Sequence, residues 1–400
     1  MKGTSVPAQE SPLTRLTRHA RARALEVAVA EPSGASWSTL TWNELYRRVI
    51  DGAAGMIEAG VDPGSVVVIR VPTGIRLLEL ELATRIAGAV PLLLPEHLDP
   101  AEVARLLDEI EVRLVIVDHE SRLALLRRAA LAEAQLFECD DRSWERLRGM
   151  GLERRKRQPD VLAWVDGVRA DAPSSAVLGL PREKGPAWLF RPESSGALSD
   201  LAADDVVVLT GEAADRFTTV VRDAHLSAGC VLVWVERPER LEAALAHFSP
   251  THVLLDHTVA RVLEDLIEAG TVDGAPWHPT PREVLEATSA RVAEARLGSR
   301  GRRLADEVSA LVPWWGGRVR VLALDARVNR TISGLATTLG IRVGRIAHHP
   351  AIRLDLGREH AVVQVPAAPT AEAASELLPR RGGRTSDLDS AFSLAGAPGS

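Results

Sequence analysis

The sequence predicts an α/β protein built from two related αβ subdomains, with mostly parallel sheets flanked by helices. Three observations predict it. Short apolar runs rich in β-branched residues alternate with helix-period segments, as in parallel sheets buried on both faces. The order glycine, strand, helix, strand, aspartate occurs twice, from Gly88 to Asp118 and from Gly229 to Asp256. A chain of 400 residues is also too long for one small domain.

The elements follow in order. The first twelve residues read as a flexible arm, and order is expected from Leu13. Thr41 and Glu44 form a capping box, and Trp42, Leu45, Val49, Ala53 and Met56 then recur at spacings of three and four. That spacing is an amphipathic helix. Gly60 stops it ahead of the Asp62-Pro63-Gly64 turn. Val66–Ile69 reads as a buried strand, Ile75–Ile86 as a helix ending near Gly88, and Ala89–Leu94 as the next strand. Asp99-Pro100, with Glu102 behind it, opens another helix, and Leu114–Val117 is a strand that ends at Asp118.

The pattern recurs after residue 200. Val206–Leu209 is a strand, Asp215–Ser227 a helix, Val231–Val235 a strand, Arg237–Phe248 a helix and Val253–Leu255 a strand. A long helical stretch is expected over Pro281–Val312. Then come a strand at Arg318–Leu324, a helix at Arg327–Leu339 and a strand at Ile341–Ile346. The expected division is an arm at 1–12, a first αβ subdomain at 13–150, a linker at 151–186, a second αβ subdomain at 187–366 and a disordered tail at 367–400.

Composition excludes several classes. Lys and Arg number 48 against 54 Asp and Glu, a formal charge of −6, so the whole chain is not a basic nucleic-acid binder. Cys139 and Cys230 are too few for a disulfide framework or a four-thiolate zinc site. The start of the chain has no apolar core of a secretion signal. The longest apolar run, Ala87–Leu94, is far short of the ~20 residues of a membrane span. A cytoplasmic protein is the expectation. Lysine occurs only at Lys2, Lys156 and Lys184.

The stretch Leu40–Asp118 resembles the opening of the adenylate-forming superfamily, which includes acyl-CoA synthetases. The residues that carry the likeness are the capped helix, Val61-Asp62-Pro63-Gly64, Ala87-Gly88-Ala89-Val90-Pro91 and Leu114-Val115-Ile116-Val117-Asp118. Ala228-Gly229-Cys230-Val231, Ser249-Pro250-Thr251-His252-Val253 and Val319–Gly340 are similar to later segments. The long-chain acyl-CoA synthetase branch is nearest, because of the helical stretch before Val319. The resemblance implies the family's large N-terminal domain over about Leu13–Pro366, built from two stacked αβ subdomains.

It also implies ATP chemistry, which needs backbone N–H groups, hydroxyls and a lysine around the phosphates. Two placements of that loop stay open. In one, Ala187–Phe190 is the incoming strand, and Ser194, Ser195 and Gly196 keep the hydroxyl and glycine chemistry. Glu193 then replaces a glycine, and Ser199 stands where lysine should be. A carboxylate there repels triphosphate. In the other, Lys184-Gly185 fits, but Ala176–Pro181 lacks the hydroxyls expected there. An ordinary surface loop is the simpler reading of either.

Further on, the family's Mg²⁺ glutamate falls on Ala351 and its adenine-side aromatic on Ala347, while its glycine-rich segment has become Ala323-Leu324-Asp325-Ala326. Thr210-Gly211-Glu212 looks like the ribose-binding segment but falls too early. No lysine follows Lys184, so the small C-terminal domain with its catalytic lysine is expected to be absent.

Other candidates have simpler readings. His348-His349 point opposite ways on a strand, without a carboxylate or thiol cluster for a metal. His247, His252 and His257 fall on a helix end, a strand start and a strand end. Asp118-His119 and Asp256-His257 sit at strand ends, where ligands bind but where side chains also cap helices. Arg154-Arg155-Lys156-Arg157 could hold phosphate, or form a solvated face beside Glu153 and Asp160. Trp314-Trp315 could anchor a partner or fill a core.

The expectation is therefore an acyl-CoA synthetase-like pseudoenzyme, inactive or impaired, acting through a protein partner or an acyl chain. It has no catalytic residue, no metal site and no cofactor. Ser194, Ser195 and Gly196 are a vestigial phosphate loop. ATP with Mg²⁺ returns only in the alternative reading, an atypical acyl-adenylating enzyme served by a separate C-terminal domain. A lipid or acyl carrier is the third reading. No nucleic acid and no transmembrane segment are expected.

Overall fold

The computed structural model describes residues 10–63, 65–94, 112–118, 135–163, 175–177, 188–190, 198, 201–211, 216–235, 237, 240–256, 259, 271–272, 275–276, 318–325, 341–349 and 351–355. The helices expected after Asp99, over 281–312 and over 327–339 lie outside them, as do Trp314-Trp315 and residues 367–400.

Within these residues the chain is α/β, with mostly parallel sheets flanked by helices. The first half runs α1 (Pro12–Ala22), β1 (Val27–Ser33), β2 (Ser36–Thr41), α2 (Trp42–Glu58), β3 (Val66–Arg70), α3 (Ile75–Ile86), β4 (Val90–Leu93), β5 (Val112–Val117), β6 (Gln135–Glu138), α4 (Asp141–Arg157), β7 (Ser175–Val177) and β8 (Trp188–Phe190). The second half runs β9 (Val206–Leu209), α5 (Arg216–Ala228), β10 (Val231–Trp234), α6 (Leu241–Phe248), β11 (His252–Leu255), a short ribbon of β12 (Thr271–Val272) and β13 (Ala275–Pro276), β14 (Val321–Asp325), β15 (Arg342–His349) and β16 (Ala351–Asp355).

One sheet has the order β6-β5-β3-β4-β7-β8 and the other β16-β15-β14-β11-β9-β10-β1-β2. Interior pairs are parallel. The antiparallel pairs of these two sheets, β1–β2, β7–β8 and β15–β16, lie at their edges.

The sheets do not divide where the sequence suggested. β1 and β2 precede the first-subdomain strands, yet β1 pairs with β10, Val29 opposite Leu232. β8 follows the expected linker, yet it pairs with β7 in the first sheet. The β1–β2 hairpin went unrecognised because its apolar run is short, although Pro32-Ser33-Gly34 marks its turn. Helix α4 was also missed, and it runs to Arg157, into the expected linker.

The larger sheet is buried on both faces by simple alternation. Val207, Leu209, Leu232, Trp234 and Leu254 join the core shared with the first sheet and helices α1 to α5. Val208, Val233, Val235, Val253 and Leu255 face the other way, against Leu241, Ala244 and Leu245 of α6. Helix α3 is buried on nearly every side, Glu79 and Glu81 included, which explains its weakly sided sequence.

Helix α2 begins with the expected capping box, in which Thr41 N–H donates to Glu44 at 2.8 Å and Glu44 N–H to the Thr41 hydroxyl at 3.3 Å. Its other face meets α4 at a crossing that only glycine allows. A Cβ on Gly151 would overlap the Asp51 carbonyl oxygen, and one on Gly55 the Leu147 carbonyl oxygen. The basic run at the end of α4 fastens this crossing. Arg154 and Arg157 donate to Glu58 at 2.9 and 2.7 Å, Arg155 to Asp51 at 2.5 Å and Lys156 to Glu153 at 2.6 Å. It is therefore an internally paired helix end.

Candidate functional site

Open parallel sheets bind ligands beyond the carboxyl ends of their strands. Here those ends come together from both sheets. The Thr73 hydroxyl, after β3, donates to the Gly211 carbonyl after β9 at 3.2 Å. Glu31, near the end of β1, accepts the Ile75 N–H at the start of α3 at 2.7 Å. Gly74 has φ +152°, and a Cβ there would strike the Glu31 carboxylate. The first turn of α3, a natural seat for an anion, is thus served by the protein's own carboxylate.

The same economy holds at β9 and β11. The Thr210 hydroxyl, fully buried, accepts the Asp256 N–H at 2.8 Å and lies 3.4 Å from the Leu254 carbonyl. Asp256 accepts the Val259 N–H at 3.1 Å, so the capping reading holds for it. Thr210-Gly211 is a tie between strands. Sequence reasoning missed Glu31 and Thr73. Their only signal was position, one before a hairpin turn and the other one residue ahead of a glycine that opens a helix.

Behind these loops lies a charged seam between the two halves. Arg222 of α5 bonds Glu81 of α3 at 2.5 Å, both 2% exposed, and reaches the Thr218 and Thr219 hydroxyls at 3.1 and 2.9 Å. Arg85 of α3 pairs with Asp223 at 3.2 Å. Glu79, wholly buried, is held by Arg48 at 2.9 Å and Arg76 at 3.3 Å, yet burial raises its pKa above the usual carboxylate range. Burial pushes the thiols of Cys139 and Cys230 up to about 12, so neither is a ready nucleophile.

The other sequence candidates scatter. Ser194, Ser195 and Gly196 lie outside the described residues, as do Glu193, Ser199, Lys184, His119 and His257. The strand that leads toward that loop is present as β8, antiparallel to β7. His247 sits in the last turn of α6, stacked on Trp37 at 6.1 Å, and His252 starts β11. Among the described residues no three His, Cys, Asp or Glu side chains gather as a metal would require.

At the far edge, Asp325 pairs with Ile346, and β15 then continues past β14. Ala347, His348 and His349 ladder with Arg353, Ile352 and Ala351 of β16. Residues 347 and 351, where the resemblance puts an aromatic and a metal-binding glutamate, are both alanines inside this hairpin. Neither the ring nor the carboxylate that the resemblance implies is present at these two positions. Among the described residues no helix is long and apolar enough to cross a membrane.

Comparison with known proteins gives the frame for these observations. Residues 15–173 match the family described as AMP-binding enzyme. A stretch of 95 residues, 24% of this chain, is 33% identical to 2-methylpropanoate–CoA ligase CCL4 of Humulus lupulus. It spans only 17% of that ligase's length. Among solved structures, a complex of VinN with L-aspartate superposes with TM-score 0.63 at 16% identity, covering 90% of this chain and 83% of VinN. The long-chain-fatty-acid-CoA ligase FadD1 of Archaeoglobus fulgidus gives 0.64 at 13% identity, covering 89% and 68%. Residues 15–173 thus resemble the AMP-binding enzymes, and the chain shares the fold of these solved structures.

Proposed function

We propose that this adenylate-forming large domain is a pseudoenzyme that has lost ATP chemistry and works by binding, either an acyl group or a protein partner. The observation that carries the reading is the β15–β16 hairpin. Its backbone ladder runs through the segment where the resemblance implies contact with nucleotide and metal, and alanines stand at 347 and 351 of that segment. Glu193 and Ser199 in the expected phosphate loop, and Asp325 at the end of β14, point the same way. Loss of even one transition-state stabiliser lowers a rate about 10²–10³-fold. Two of the named relatives are by name CoA ligases, of 2-methylpropanoate and of long-chain fatty acids, which supports an acyl group as the retained ligand.

A second reading has one observation in its favour. Trp188–Phe190 forms a strand, β8, and Ser194, Ser195 and Gly196 follow it in the chain, the order that a phosphate loop after its incoming strand would have. In that reading the chain forms acyl-AMP with a separate lysine-bearing domain.

The test is pyrophosphate release from Mg-ATP across short-, medium- and long-chain acids, with native mass spectrometry of the purified chain. The pseudoenzyme reading expects no release above background, and either a bound acyl group or a captured protein. Release at ordinary enzyme rates, abolished by Ser194→Ala with Ser195→Ala, would establish the second reading instead.

A further inference from the structure

Helix α1 is fastened to the end of α5 by a cluster that the binding role above does not use. Trp42 is fully buried, with two imidazoles packed against it. His19 of α1 lies 4.6 Å from it, tilted by 39°, and His225 of α5 lies 5.1 Å away, stacked at 16°. His19 Nε2 is 3.0 Å from the Leu226 carbonyl. Gly229, with φ +77°, leaves the His19 ring its space, because a Cβ there would overlap it. His225 is wholly buried; its Nδ1 is 3.9 Å from Cys230 Sγ, and its Nε2 has no hydrogen-bond partner.

The surroundings are cationic. Arg15 bonds Ser227 Oγ at 2.7 Å and Asp223 at 3.4 Å, Arg18 bonds the Ser227 carbonyl at 3.1 Å, and Arg23 bonds the Gly229 carbonyl. These arginines cap the carboxyl end of α5, where cations are favoured. The carboxylates within reach already have partners. Asp223 holds Arg15 and Arg85, Glu26 holds Arg23, and Glu10 holds Arg18. The Cys230 thiol is neutral. A protonated imidazole here would face arginines and a neutral thiol in a largely buried place, with only the Leu226 carbonyl beside His19 and the Cys230 backbone beside His225 to favour it.

We propose that the His19–Trp42–His225 stack is an acid-opened clasp: when its imidazoles take protons, α1 lifts from the end of α5 and Cys230 becomes reachable, while both sheets stay folded. Burial pushes His225 down to about 3 and lowers His19, with Arg18 and Arg23 adding to the effect on His19. A histidine depressed in the closed form keeps the clasp fully shut above its free value, near 6.5. As pH falls below that value the open form binds more protons, and opening grows up to about tenfold per pH unit for each histidine. Attraction between imidazolium and indole works against this, but it is smaller than the hydration lost by a buried cation.

The experiment uses the full chain carrying Cys139→Ser, so that Cys230 is the reporter. Its reaction with 4,4′-dithiodipyridine is followed from pH 7.5 to about 5.5, each rate divided by that of the urea-unfolded chain at the same pH. The clasp predicts at least about a tenfold rise in this ratio, with far-ultraviolet circular dichroism unchanged. The rise should fall below about twofold in a His19→Gln/His225→Gln chain that keeps its melting temperature at pH 7.5. Should that variant fail to fold, amide exchange in the unsubstituted chain decides, with α1 accelerating in acid well ahead of α3. A flat ratio, an undiminished rise in the double variant, or α1 and α3 accelerating together would overturn the proposal.

Discussion

The β3–α3 crossover and the β14–β15 pair lie on the same carboxyl side of the fold, but they hold different kinds of information. At β3–α3, nearly every residue is buried, and the loop's polar groups are tied within the protein through Thr73, Glu31 and Gly211. The sequence there matches the AMP-binding family. At β14–β15 the strands pair in parallel register, while the positions where the resemblance implies nucleotide contacts carry alanines and an aspartate. Packing constrains a strand along its whole length, and any loss of it destabilises the fold. Chemistry at a strand end constrains only a few side chains, and those can change while the fold survives.

That contrast can be tested from its scaffold side, beginning with the buried charges. Arg222→Ala leaves Glu81 buried without its cation and should lower stability by about 3–5 kcal/mol. An Arg222→Met/Glu81→Leu pair should recover most of the loss, as read by urea unfolding. Equal losses in the single and double variants would show that the seam matters through packing alone. Gly151→Ala should cost about 2–3 kcal/mol by forcing α4 off the Asp51 carbonyl, and the thermal midpoint would report it. Thr210→Val removes the acceptor for the Asp256 N–H and should cost about 1–2 kcal/mol. Smallest is Gly149→Ala, where a Cβ meets nothing within 4 Å. It should stabilise α4 by about 0.5–1 kcal/mol.

Much of the fold was legible in the sequence because burial writes itself as periodicity. The helix at Ile75–Ile86 and the strand at Val206–Leu209 fall where the pattern put them. Thr41 and Glu44 announced their cap. Strand partners were less legible. Nothing in Val27–Ser33 says that it pairs with a strand two hundred residues later, since pairing depends on which edge the folded sheet leaves open. Helix α4 hid because its buried stripe is narrow, Trp144, Leu147 and Gly151 among many arginines. At the candidate site, the alanines at 347 and 351 were visible as substitutions. That they lie in a hairpin was not, because a ladder with β16 is a long-range fact.

The most direct test of the central claim is a calorimetric titration of the full chain with Mg-ATP, with and without a medium-chain fatty acid. The account predicts no saturable heat up to millimolar nucleotide. A saturable signal with Kd from micromolar to sub-millimolar, about −5 to −8 kcal/mol, lost on Ser194→Ala with Ser195→Ala, would contradict it.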